Sequence, residues 1–275
     1  MKRALTIARN TFREAVRDRV LHLVAAFGVL VLLSGKVIGW VSVGEDIKIV
    51  RDIGLTSVGF FGAMIALFVG TGLIQRELGG RTIYTILARP VARWEFIIGK
   101  YLGLLGTVLI ATAGMAVVFL VYLGIMTALA PGAPVGATAA PSAFGWPVFQ
   151  SLILSGFEMV MMTALAVFFS SVSTPILSAV FTFFAYVAGQ FASSVSLLAE
   201  MAAPKGGSGS WLGHVLLDVI YRVMPNLDLM NIRDSATHGY AVSAGQMVWT
   251  IVYAIAYAGV VLAVTCAAFE RRNMP

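Results

Sequence analysis

The chain is expected to be an all-α polytopic membrane protein. Six transmembrane helices form a single domain over residues 1–275, with an N-terminal amphipathic cytoplasmic helix and a short helix in a cytoplasmic loop. Three observations predict this. First, 59% of residues are hydrophobic, with mean hydropathy +0.90. Second, only 12% are charged, where a soluble domain carries about 25%. Third, the apolar runs are long enough to cross a bilayer, which takes about 20 residues. Little of the chain remains for a separate catalytic domain. The net charge of +6 would suggest nucleic acid for a soluble protein. Here it follows from the positive-inside rule, because the excess sits in particular loops.

Residues 1–19 are dense in charge. Arg9, Arg13 and Arg17 recur every four residues and share one helix face. Leu5, Ala8, Phe12, Ala15 and Val16 gather opposite, as in a helix lying on the cytoplasmic membrane surface. A cleavable signal peptide is not expected: the charged region is long and no A-x-A site follows the apolar core. The first span is read as Val20 to Val43, with Lys36 snorkelling to the outer interface and Gly35 and Gly39 in GxxxG spacing. Glu45 to Asp52 is read as a short external loop, and Ile53 to Leu73 as the second span.

Gln75 to Lys100 follows, QRELGGRTIYTILARPVARWEFIIGK, with five positive and two negative side chains. So polar a stretch does not lie in hydrocarbon, and its Lys/Arg surplus puts it in the cytoplasm. Gly79-Gly80 marks a break after the preceding span. Arg81 to Ala88 suits a short helix, which Arg89-Pro90 ends. From Val91 a helix restarts. Such an element is either a docking site or a solvated basic loop.

The third span is read from Phe96 to Ala130, long enough to require tilt or a cytoplasmic first turn. Pro131 to Pro147 is an uncharged Pro/Gly/Ala-rich external loop with Trp146 at the interface. The fourth span, Val148 to Phe169, carries Glu158 about ten residues from either end, close to the bilayer midplane. A carboxylate there suggests substrate contact, proton coupling or a polar latch. The plain structural alternative is a neutral carboxyl bonded to a neighbour such as Gln190. Ser170 to Pro175 is a tight cytoplasmic turn, and Ile176 to Leu198 the fifth span, with Gln190 its main polar residue. Ser193, Ser194 and Ser196 add hydroxyls near its outer end.

Glu200 to Ala244 is the largest loop, external by parity. In it Lys205 to Ser210 is a linker, and no phosphate loop GxxxxGK[ST] occurs there or elsewhere. His214, Asp218 and Arg222 stand at i, i+4 and i+8, a stripe fitting an interfacial helix over Trp211 to Met224, which Pro225-Asn226 ends. The sixth span is Gly245 to Ala268, followed by Glu270-Arg271-Arg272. Of the 19 Lys and Arg residues, only Lys36, Lys48, Arg51, Lys205, Arg222 and Arg233 fall on or near the outer side in this topology. Both termini therefore face the cytoplasm.

Glu77-Leu-Gly-Gly-Arg-Thr82, then Leu87, Arg89-Pro90, Arg93 and Gly99-Lys100, resemble the signature of type-2 ABC exporter permeases. The chain is similar to the permease of nitrous-oxide reductase maturation transporters. Only this loop carries specific residues, although length and span order agree throughout. One departure is Gly80-Arg81, where the family often has a single Gly followed by Thr. The resemblance implies that Glu77, Gly79, Arg81, Thr82, Leu87, Pro90 and Arg93 form a coupling element seated in a groove of a cytoplasmic ABC ATPase. It implies that the helix over residues 1–19 is a connecting helix beside the ATPase, the plain alternative being a lipid-surface anchor, that residues 200–244 correspond to the external gate, and that two permease copies, normally a homodimer, form the path. ATP and Mg would sit on the partner, with no cofactor on this chain. The inner membrane is the expected location, a periplasmic protein a further partner, and nucleic acid none.

Other chemistry finds little support. The single cysteine, Cys266, excludes an internal disulfide and a cysteine-based metal cluster. His22, His214 and His238 have no zinc-ligand spacing. Met159, Met161 and Met162 would suit a soft metal, but neighbours on a helix point apart, which favours core packing. Three classes stand: an exporter permease that does not itself hydrolyse ATP; an integral membrane enzyme using Glu158, or Asp218 with His214; and a scaffold that only recruits a cytoplasmic protein. The residues leave the cargo open.

Overall fold

A computed structural model describes residues 2–39, 46–79, 93–129, 145–192 and 224–271. Every regular element among them is helical: α1 Lys2–Val16, α2 Arg19–Gly39, α3 Asp46–Gly79, α4 Arg93–Leu129, α5 Trp146–Val172, α6 Pro175–Gln190, a 3₁₀ turn Asp228–Met230, α7 Arg233–Thr237 and α8 Ala244–Arg271. Among the described residues, four helices hold segments long and apolar enough to span a membrane: Ile47–Gly72, Trp94–Ala128, Trp146–Val172 and Ala244–Phe269. Arg19–Gly35 and Pro175–Gln190 are shorter apolar helices.

The bundle is centred on α3 and α5. In α3, 72% of the spanning window is buried, against 17% in α8, so α3 is an axis and α8 a peripheral helix. Met159, Met161 and Met162 of α5 are all in the core. Pro175 begins α6 at its first turn, where a missing N–H costs nothing.

Two expectations are corrected. The sequence predicts an external loop over Glu45 to Asp52, but α3 begins at Asp46. Ile47, Val50, Gly54, Leu55 and Val58 repeat at helical spacing and are buried or half-buried, so the apolar period runs straight through the charged residues. The fifth span was read to Leu198. α6 stops at Gln190, with Phe191 at φ −102°, ψ 13°, and the remainder, including Ser193, Ser194 and Ser196, lies outside the described residues. On α1 the buried stripe is Ala4, Ala8, Thr11 and Ala15, two of which belong to the expected apolar face, while Leu5 of that face is 69% exposed. The linker at Lys205 and the stripe His214, Asp218, Arg222 also lie outside the described residues.

Candidate functional site: a polar cluster inside the bundle

Glu158 sits in α5, 12 residues after Trp146 and 14 before Val172, or roughly 18 and 21 Å from the ends at 1.5 Å per residue. It is 1% exposed. A carboxyl buried this far from water needs partners on every side. Gln190, the last residue of α6, donates its Nε2 hydrogen to Glu158 Oε1 at 2.6 Å. Arg233 of α7 brings Nη2 to 3.6 Å from Oε2. That distance makes an ion pair without a good hydrogen bond, and Arg233 Nη2 has no hydrogen-bond partner among the described residues. Tyr186, one turn before Gln190 and buried, borders the same cluster.

The guanidinium reaches Glu158 because α3 offers it a gap. A β-carbon on Gly59 would collide with Arg233 Nη2 and force the guanidinium to shift. Gly59 is 12 residues from Ile47 and 13 from Gly72, the bounds of its span. Arg233 thus stands at mid-depth of both central helices, although it belongs to a five-residue helix in an irregular segment.

Residues 224–243 therefore enter the bundle. Irregular backbone persists at such depth only where protein satisfies its polar groups, and here four helices do so. Arg51 of α3, 3% exposed, donates Nη1 to the carbonyls of Thr237 at 3.0 Å and Ala236 at 3.4 Å. Gln150 of α5 grips Val242 from both sides, its Nε2 donating to the carbonyl at 2.9 Å and its Oε1 accepting from the N–H at 3.1 Å. The Leu227 N–H donates to the Gly189 carbonyl of α6 at 3.1 Å. The Asn226 N–H donates to Tyr253 Oη of α8 at 3.0 Å. A cavity of about 440 Å³ lies between this segment and the first turn of α8, lined by Asn226, Asn231, Ser235 and Gln246 among others. Among the described residues no three metal-ligating side chains converge.

Of the sequence-derived site residues, the structure brings Glu158 and Gln190 together. Glu77 and Gly79 lie in the last turns of α3, which extends six residues beyond the expected span end at Leu73, and Arg93 is the first residue of α4. Arg81, Thr82, Leu87 and Pro90 lie outside the described residues. Arg233, Arg51, Gly59, Tyr186 and Gln150 were not anticipated. For two of them a signal existed: Arg51, Leu55 and Gly59 recur every four residues and share one face of α3. Arg233 had none, because a single arginine in a loop carries no period.

A comparison with protein-family models matches residues 5–274 to the family described as ABC-2 family transporter protein. A search of curated proteins finds no match. The family match covers nearly the whole chain, so the chain belongs to the ABC-2 family of transporter proteins.

Proposed function

We propose that this member of the ABC-2 family is the membrane subunit of an exporter, worked by a cytoplasmic ATPase that docks on the stretch 75–100. Membership itself makes the chain a non-catalytic permease subunit of an ABC transporter, located in a membrane and dependent on an ATPase partner. The match over residues 5–274 is the observation that carries the reading. The rest is built on it. α2 and α6 join the four long helices to make six spans. Both termini lie in the cytoplasm of a cell whose inner membrane holds the protein. Two copies, each with one ATPase, enclose the path. ATP and Mg belong to the ATPase, and this chain binds no cofactor.

The mechanism follows from what each part does physically. The ATPase grips Glu77, Gly79, Arg81, Thr82, Leu87, Pro90 and Arg93, and its closure pushes the ends of α3 and α4 that flank them. Packed helices respond as rigid bodies between two arrangements. On the outer side, residues 224–243 act as the gate. Arg233 on Glu158, itself held by Gln190, latches it shut, and the segment's other bonds go to backbone groups that water satisfies equally well once the segment moves outward. The same push, delivered to a periplasmic protein resting on that segment, would give force transmission without bulk transport.

The test is the ATPase activity of the reconstituted complex. Replacing both Glu77 and Arg81 with Ala is expected to leave insertion intact and abolish the stimulation of hydrolysis by this subunit. Unchanged stimulation in the double variant would remove the docking role. Turnover that is identical with and without the wild-type chain would leave only the scaffold reading.

A further inference from the structure

The seam between α1 and α4 is lined by small residues and is among the tightest approaches of two helices in the described residues. The buried positions of α1 are Ala4, Ala8, Thr11 and Ala15, and α4 answers with Gly99, Gly103 and Gly106. A β-carbon on Gly99 would lie 2.8 Å from the Ala4 carbonyl oxygen, and one on Gly103 2.5 Å from that of Ala8 and 2.7 Å from Thr11 Cβ. At Gly106 the nearest atom is Phe12 Cδ2, at 3.5 Å. Position numbers rise together along both helices, so α1 runs beside α4 in the same direction. Contacts of backbone against backbone leave no flexible side chain to yield, and small-residue seams of this kind associate helices through close packing.

The other end of α1 is equally constrained. Only Arg17 and Asp18 separate it from α2. Asp18 Oδ1 accepts the Val20 N–H at 2.8 Å, capping the first turn of α2. Further along, α2 and α4 meet again. A β-carbon on Gly28 would lie 2.5 Å from Met115 Cε, and Tyr122 Oη donates to the Leu33 carbonyl at 3.2 Å. The three helices close a triangle whose corners are a glycine seam, a two-residue turn and a second glycine contact. α4 has 37 residues, or about 55 Å, against the roughly 30 Å of hydrocarbon it crosses. Its foot is therefore surplus to the span, and that foot starts at Arg93, the last of the coupling residues.

We propose that α1 is a strut that yokes α2 to the foot of α4, and that Gly103 is the residue that positions it. A push delivered to the stretch before Arg93 then displaces α2 and α4 as one body. This rests on the reading of that stretch as the ATPase dock.

Gly103→Val, with Gly103→Ala as the milder variant, tests it in the reconstituted complex. Gly114→Val is the control: the same substitution in the same helix, where nothing lies within 4 Å. The strut predicts that Gly103→Val keeps its affinity for the ATPase and lowers stimulated hydrolysis by roughly fivefold or more, the scale of ordinary coupling between sites, with Gly103→Ala between it and wild type. Retained coupling in Gly103→Val overturns the proposal. Should that variant fail to fold, Gly103→Ala decides alone. In a Cys266→Ser background, an oxidised Phe12→Cys/Gly106→Cys pair is expected to hydrolyse ATP as fast as the reduced form. Arrest on oxidation would mean that α1 and α4 part during the cycle, and overturns the strut. Hydrogen exchange on the chain without ATPase separates the two failures. Protection of residues 4–15 in wild type, lost in Gly103→Val, supports the strut even if the docking reading falls. Exchange in wild type as fast as in a free helix overturns it whatever the ATPase does.

Discussion

The α1–α4 seam and the Arg233 cluster hold helices together by opposite means. The seam joins two regular helices through glycine and alanine, with carbonyl oxygens at 2.5–2.8 Å from where β-carbons would be. The cluster joins an irregular segment to two regular helices through a carboxyl, an amide and a guanidinium. The difference lies in what each contact would do if it parted. Separated glycine faces lose dispersion contacts and gain nothing specific in return. Separated polar groups exchange one partner for water or for another polar group, so their net cost is small if the segment moves outward, and large if it stays buried. A lasting joint therefore suits the first region and a reversible one the second.

The largest expected effect comes from breaking the cluster on one side only. Arg233→Met leaves Glu158 buried with the Gln190 hydrogen bond but no countercharge from Arg233, and is expected to destabilise the solubilised protein by ~3–5 kcal/mol in denaturant unfolding, the usual penalty for orphaning a buried charge. Replacing both members, Arg233→Met with Glu158→Met, should recover most of it, because a buried ion pair and a packed apolar pair are close in stability. If the double variant is as unstable as the sum of the singles, the two residues do not act as a pair.

Gly59→Val sharpens the same comparison from the other side of the guanidinium. Its β-carbon would displace Arg233 without changing any charge. The expected loss is about 1–3 kcal/mol, the range for overpacking. Most of it should vanish in an Arg233→Met background, where the side chain that collides is absent. A loss unaffected by that background would show that Gly59 serves helix packing and not the guanidinium.

The smallest effect is expected at the rim. Gln150→Leu removes both bonds to Val242, but Val242 is half-buried between exposed Ala241 and Ser243, so water can replace them there. A loss near ~1 kcal/mol is expected, with faster hydrogen exchange at the Val242 amide. A loss as large as that of Arg233→Met would mean that the segment is anchored at its rim and not at Glu158.

Much of the architecture was readable in advance because lipid imposes it. Spans must be long, apolar and helical, so the fourth span read as Val148 to Phe169 differs from α5, Trp146–Val172, by only a few residues at each end. Glu158 was conspicuous for the same reason, a lone acid in an apolar run, and Gln190 was a natural partner as the main polar residue of the next span. The charge of Arg51 suggests a loop, whereas the apolar period around it places it on α3. The buried stripe on α1 has a steric cause. Leu5 and Val16 are more hydrophobic than Ala4 and Thr11, yet only small side chains let two backbones come this close.

The amino-acid sequence by itself determined what hydrophobicity and charge can enforce locally: a membrane-bound helical chain with long apolar segments, a basic stretch between two of them and a carboxyl that had to find a partner. Tertiary structure alone decided which residues meet. Arg233 lies 75 positions from Glu158 along the chain, and its loop resembles any other until α3 presents a glycine gap for it. Ala8 and Gly103 are ordinary residues until two backbones touch. A contact between distant segments depends on shape complementarity in three dimensions, and neither the period of one helix nor the polarity of one loop encodes it.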